Sequence, residues 1–277
     1  MRKLNLKKLL LRAITIILLA PIVVIIILFD NPPYGSLPFL VFIISIAVMS
    51  LNEYFHMAFN EREPFFLSGH FISITLILLA FIKEMTPFWN SSYALVFSIV
   101  CLVFFLLELS FKNMFFYRNK IFITLKGIIY IGWFYSYFIL IRNLPLGKEL
   151  IFYVLFTIWA LDTMAYLVGI TFGKHKLNPE ISPKKTKEGA IGGFSAAVLV
   201  SVGLLSSVFG FVHSLILGAI IGVLGQCGDL YESLIKRTYK MKDSSNILPG
   251  HGGIMDRADS FILLAPVVYY YLVFISH

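Results

Sequence analysis

The stretch from Gly225 to Ser260 holds the densest set of residues able to do chemistry. Gly225-Gln226-Cys227-Gly228-Asp229 closes an apolar run, and Tyr231-Glu232-Ser233-Leu234-Ile235-Lys236-Arg237 continues it in helical register. Asp229, Ser233 and Lys236 then lie near one helix face, at spacings of four and three. Lys242-Asp243-Ser244-Ser245 comes next, followed by Pro249-Gly250-His251-Gly252-Gly253 and by Asp256-Arg257-Ala258-Asp259 at the mouth of a last apolar run. The Pro/Gly and Gly-Gly turns can aim successive N–H groups at an anion. Asp256 and Asp259, three apart at a helix start, put two carboxylates on one face. With Asp229 they could hold Mg²⁺, a hard ion that seeks oxygen ligands. Lys236, Arg237, Lys242 and Arg257 supply positive charge beside such an ion. A capped helix with surface ion pairs would account for Asp256 and Asp259, but not for the whole assembly. His251, embedded in the glycine turn, suits a contact to phosphate or carboxylate as well as acid/base work.

Two upstream features could join this set. One loop reads Gly173-Lys174-His175-Lys176, then Ile181-Ser182-Pro183-Lys184-Lys185-Thr186-Lys187-Glu188-Gly189. Its lysines and glycines suit a phosphate-rich ligand, because ammonium groups neutralise the charge and glycine permits close backbone approach. Anionic lipid headgroups alone would also favour such a loop. The second feature is Asp162, within Ile158-Trp159-Ala160-Leu161-Asp162-Thr163-Met164. A carboxylate at mid-span costs about 3 kcal/mol, so it should face a polar cavity or a partner; an interhelical hydrogen bond or a pair with Lys126 is the structural alternative. His56, His70, His213 and His277 stand singly near segment ends and read as interfacial. Cys101 and Cys227 read as small buried hydrophobes, with neither a disulfide framework nor a zinc site behind them.

The elements that position these residues are membrane helices. The chain has 277 residues, of which 58% are hydrophobic and 14% charged, with 27 Phe and 14 Tyr. A soluble domain carries about 25% charged residues, so a soluble globular enzyme and a disordered chain are both excluded. Nine apolar segments can be marked: 13–29, 37–51, 70–82, 93–109, 121–141, 150–172, 191–212, 215–228 and 261–276. They imply an all-α polytopic membrane protein of about nine transmembrane helices, since only helices satisfy their own backbone groups in lipid. The first segment follows a basic start but lacks a small-residue cleavage site, which favours a retained anchor. Counted over alternate loops, 19 of the 23 Lys and Arg fall on one side. The positive-inside rule puts that side, with the N-terminus and both long basic loops, in the cytoplasm. The net charge of +8 is therefore an orientation signal, and no nucleic acid is expected as a partner. Residues 1–145 read as a transmembrane region of short loops, and residues 146–277 as the transmembrane region that carries the chemistry.

The motifs resemble those of one family. Ser233-Leu234-Ile235-Lys236-Arg237, Lys242-Asp243-Ser244-Ser245, Leu248-Pro249-Gly250-His251-Gly252-Gly253-Ile254 and Asp256-Arg257-Ala258-Asp259 are similar to the signature of phosphatidate cytidylyltransferase, also called CDP-diglyceride synthase. Ala258 departs from it, since the family has a larger apolar residue or Thr there. Asp162-Thr163 with Ala165-Tyr166, and Ser182-Pro183-Lys184-Lys185-Thr186 with Glu188-Gly189, resemble the family's upstream motifs; the first 145 residues resemble it only in hydropathy. The resemblance implies that CTP and phosphatidate give CDP-diacylglycerol and pyrophosphate in the cell membrane, at a site facing the cytoplasm and requiring Mg²⁺, with room for a second cation.

On that reading Asp229, Asp256, Lys236 and His251 stand at the reaction centre. Asp229 and Asp256 are expected metal ligands, with Asp259 a third ligand or an orienter of the other two. Lys236, Arg237, Lys242 and Arg257 would bind the triphosphate or the lipid phosphate, and His251-Gly252-Gly253 would cradle phosphate. Asp162, Ser182, Lys184 and Lys185 would complete a cavity open to cytosolic CTP and to membrane lipids. A homodimer is compatible with the sequence. Two rivals are a CTP-dependent lipid kinase acting on a polyprenol-type alcohol, which would release CDP, and a membrane transporter, which would spread polar residues through both halves.

Overall fold

A computed structural model describes residues 17, 20–29, 36–59, 65–82, 94–95, 97–99, 101–102, 120–248 and 252–276. Residues 20–28 include one helical stretch. The elements that follow are α1 (Leu37–Ala58), α2 (Phe65–Phe81), α3 (Lys120–Arg142), α4 (Gly147–Thr171), β1 (Lys176–Asn178), β2 (Ser182–Thr186), α5 (Lys187–Phe209), α6 (Phe211–Thr238), α7 (Met255–Ile262) and α8 (Ala265–Ser276). Among the described residues, six helical stretches are long and apolar enough to cross a membrane, with Met255–Ile275 counted as one, and a shorter apolar helix covers Phe66–Phe81. The chain is thus a mostly helical membrane protein. The apolar segment at 93–109 falls largely outside the described residues, and that at 13–29 is described at residues 17 and 20–29.

Local sequence explains the breaks. Gly210, at φ 81°, separates α5 from α6. A side chain disfavours that left-handed conformation, so glycine makes a turn short enough for the two helices to fold back against each other. Pro266 lies in the first turn of α8, where its missing N–H breaks the ladder from α7. In α3, residues Ile128–Trp133 form a wider π-helical turn. A Cβ on Gly132 in this turn would sit 2.5 Å from Ser73 Oγ of α2, so the small residue lets the two helices meet.

α4, α5 and α6 pack side by side, and α7 lies on α6. Small residues let α4 and α5 approach closely: a Cβ on Gly189 would fall 3.1 Å from Gly169 Cα. The outer faces of these helices keep Phe156, Trp159, Leu167, Ile170, Leu199 and Leu204 exposed, as lipid-facing surfaces would. Between the halves of the chain lies an aromatic core that includes Tyr54, Tyr130, Phe134, Tyr137, Tyr231 and Tyr269. The Tyr130 and Tyr231 rings meet edge to face at 4.9 Å and join α3 to α6.

One element goes beyond the all-α expectation. The basic loop folds into an antiparallel hairpin, with Lys176 opposite Thr186 and Asn178 opposite Ser182. Asn178 Oδ1 accepts the Ile181 N–H at 3.2 Å and tightens the turn. Thr186 then caps α5, its Oγ1 accepting the Gly189 N–H at 3.1 Å.

Candidate active site

α6 runs well past its apolar part to Thr238 and carries the first set of charges. Glu232, Ser233 and Lys236 are buried on its inner face. The Lys236 ammonium pairs with Glu232 one turn back and donates to Asp256 Oδ1 at 2.6 Å. Glu232 is wholly buried, and the ammonium is its counter-charge even though neither carboxylate oxygen has a well-aligned hydrogen bond. Lys236 therefore joins α6 to the first turn of α7 through two carboxylates.

The segment between α6 and α7 closes on two further carboxylate clusters. Asp256 Oδ2 accepts from Ser244 N at 3.0 Å, Ser244 Oγ at 3.0 Å and Gly253 N at 2.8 Å. Glu53, near the end of α1, accepts from Ser244 Oγ, Ser245 Oγ, Ile254 N and Met255 N at 2.7–2.9 Å. Leu248 N donates to Gly252 O at 2.9 Å and closes the tip of the loop. Gly252 has φ 87°, and a Cβ on Gly253 would fall 1.9 Å from Ser244 Oγ and 2.4 Å from Glu53 Oε2. In this arrangement the Gly253, Ile254 and Met255 amides donate to protein carboxylates, where the sequence suggested a phosphate on the glycine turn. Pro249, Gly250 and His251 lie outside the described residues, so the role expected of His251 has no geometry here.

The hairpin is braced onto the same end of α6. Lys185 Nζ meets Asp229 Oδ2 at 2.5 Å. Arg237 donates from Nε to Ile181 O at 3.3 Å and from a terminal nitrogen to Met241 O at 2.9 Å, which ties the two basic loops together. On the other side of the hairpin, Glu188 accepts the Lys174 and His175 N–H groups at 3.1 and 3.2 Å. Lys184, Lys242 and Arg257 are exposed, and none forms an ion pair within 4.0 Å among the described residues. Ser182 is half-buried at the start of β2.

A further acidic set lies beside Lys185. Asp162 of α4, Asp229 of α6 and Asp259 of α7 repel one another electrostatically, and Lys185 offsets them. Arg257 also acts on Asp162. Asp162 thus has charged neighbours from the signature stretch, while Lys126, its alternative partner from sequence, lies over the Tyr231 ring at 5.6 Å. No three His, Cys, Asp or Glu residues among those described converge closely enough to hold a metal ion. Asp256 is drawn to Lys236, Ser244 and Gly253; Asp229 and Asp259 belong to the neighbouring acidic set.

Sequence reasoning left out two carboxylates, Glu53 and Glu232. Both stand in apolar surroundings, Asn52-Glu53-Tyr54 at the end of a long helix and Glu232 beside Tyr231, so the rule that singled out Asp162 applies to each of them.

Comparison with known proteins gives a consistent answer. The model of the cytidylyltransferase family matches residues 10–275. A phosphatidate cytidylyltransferase of Bacillus subtilis (strain 168) is 38% identical over 249 residues, covering 87% of this chain and 91% of that protein. Proteins of the same name from Staphylococcus haemolyticus (strain JCSC1435) and Staphylococcus aureus (strain COL) are 35% and 36% identical, each over 84% of this chain and 89% of theirs.

Proposed function

The chain belongs to the cytidylyltransferase family, and from that premise we propose that it transfers the cytidylyl group of CTP to phosphatidate, giving CDP-diacylglycerol and pyrophosphate. An oxygen of the lipid phosphate attacks the α-phosphorus of CTP, and the bond from that phosphorus to the β-phosphate oxygen breaks. The nucleophile is already anionic near neutral pH, so no strong general base is needed. The barrier is repulsion between two anions and charge gathering on the departing pyrophosphate, which calls for fixed cations and positioning.

Supporting this reading is the juxtaposition at one end of α6: the braced hairpin with Lys185, the Lys236 bridge, and the exposed Lys184, Lys242 and Arg257. The three exposed cations are the groups best placed to receive phosphates arriving from water. Lys185 is the group that exchanges Asp229 for a substrate phosphate. Arg237 holds the two loops at a fixed separation in this arrangement. The 19 basic residues that the nine-segment reading puts on one side support a cytoplasmic position for this end of α6, at the surface of the cell membrane, where both CTP and the lipid headgroup would have access.

Magnesium fits part of this set. Asp162, Asp229 and Asp259 repel one another, with Lys185 and, for Asp162, Arg257 as counter-charges; a divalent ion on Asp229 and Asp259 would relieve that repulsion. Asp256, with its oxygens engaged by Lys236, Ser244 and Gly253, would join only after exchanging a partner. When bound, the ion would stabilise charge on the triphosphate.

Purified protein in detergent, given phosphatidate, Mg²⁺ and CTP, tests the reading by identification of its lipid product. CDP-diacylglycerol supports it. A phosphorylated alcohol with CDP, formed when an alcohol replaces phosphatidate as acceptor, would assign the chain to lipid kinase chemistry.

A further inference from the structure

We propose that Glu53, in the half of the chain with no chemical motif, is a positioning residue that clips the signature loop into its working shape. The proposal rests on the cytidylyltransferase reading for its kinetic test. Glu53 is 2% exposed, and its two oxygens take two donors each. Oε1 accepts from Ser245 Oγ and Ile254 N, and Oε2 from Ser244 Oγ and Met255 N. Two of these donors precede the loop tip and two follow it. One carboxylate therefore holds the arms of the loop together at their base, some 200 residues from it in sequence.

Asp256 performs the same closure from within the loop, joining Ser244 to Gly253. The Ser244 hydroxyl touches both carboxylates, and its single proton serves one of them at a time. The difference between the two lies in access. Asp256 also meets Lys236 and opens α7 beside the exposed Arg257, whereas Glu53 is enclosed and saturated. Glu53 thus acts on the reaction through Asp256 and Arg257, whose helix begins at the two amides that it holds. Gly253 fits the same account, since any side chain there would displace Glu53 or Ser244.

Glu53→Gln keeps the shape but puts an amide NH₂ against groups that are themselves donors. The expected result is kcat lower by about 10- to 100-fold, the loss typical of removing a residue that orients a functional carboxylate. The KM for CTP stays within about threefold, because Lys184 and Lys185 stand on the hairpin, outside the loop that Glu53 holds. Hydrogen–deuterium exchange should rise over residues 244–257 and remain unchanged elsewhere. A kcat within about twofold of the parent overturns the proposal, and so does a loss of activity accompanied by faster exchange throughout the chain. If Glu53→Gln does not fold, Ser245→Ala decides: it removes one donor and should lower kcat several-fold with faster exchange in the loop alone, and no change in either refutes the role. A parent protein that makes no CDP-diacylglycerol would defeat the functional reading, and local exchange would still decide the role of Glu53.

Discussion

Replacing Lys236 with Met removes the one ammonium shared by two buried carboxylates. In the Lys236–Asp256 pair the side chains are 11% and 6% exposed, and Glu232 is completely enclosed. At 2.6 Å and an effective dielectric of about 20, the Asp256 pairing alone is worth about 6 kcal/mol of attraction. Desolvation of the ammonium cancels part of this. Removing one partner of a buried pair costs about 3–5 kcal/mol, because the remaining charge has no counter-ion. Here two carboxylates are left facing each other, so the upper part of that range applies. Against a total stability of about 5–15 kcal/mol, the Lys236→Met protein should unfold roughly 8–20 °C lower, as followed by tryptophan fluorescence in detergent. Adding Glu232→Gln removes one of the stranded charges and should restore about 1–3 kcal/mol. A single variant within about 1 kcal/mol of the parent, or a double variant less stable than the single one, would refute the buried-bridge account.

Lys185→Met should behave differently, because that pair is more than a quarter exposed on each side: its stability should change by less than about 1 kcal/mol, while kcat/KM for CTP falls at least about tenfold if the ammonium receives substrate phosphate. Asp229→Asn should cut turnover by at least about 100-fold with folded protein retained by size-exclusion chromatography; near-normal turnover would remove Asp229 from the reaction centre. Gly253→Ala should cost about 1–3 kcal/mol together with activity, owing to the clash with Ser244 and Glu53. Gly203→Ala, where a Cβ meets nothing within 4 Å, should leave activity unchanged and raise helix stability by about 0.5–1 kcal/mol.

Hydropathy made the helices legible but not their ends. The run at 215–228 is shorter than the ~20 residues a membrane span needs, yet α6 extends to Thr238 because Asp229, Glu232 and Lys236 keep the helical register and find partners. The hairpin at 176–186 could not be read in advance. Ser182-Pro183-Lys184-Lys185-Thr186 has no alternating apolar face, and its order comes from an asparagine turn, a threonine cap and the braces to α6. The signature was legible as a constellation, but the partner of each charge was not. Lys236 was expected on phosphate and meets two carboxylates; Arg237 was expected there too and meets two carbonyls. Glu53 escapes notice for a simpler reason: the apolar run ends at Leu51, so hydropathy gives an enclosed carboxylate the look of a boundary residue.

The central claim is cytidylyl transfer, and the fate of the phosphates of CTP tests it most directly. Purified protein is incubated with phosphatidate, Mg²⁺ and CTP labelled at either the α- or the γ-phosphorus, and the lipid is then extracted. The account predicts α-label in the lipid fraction as CDP-diacylglycerol, with γ-label left in water as pyrophosphate. Gamma-label in the lipid, with α-label left in water as CDP, would contradict it.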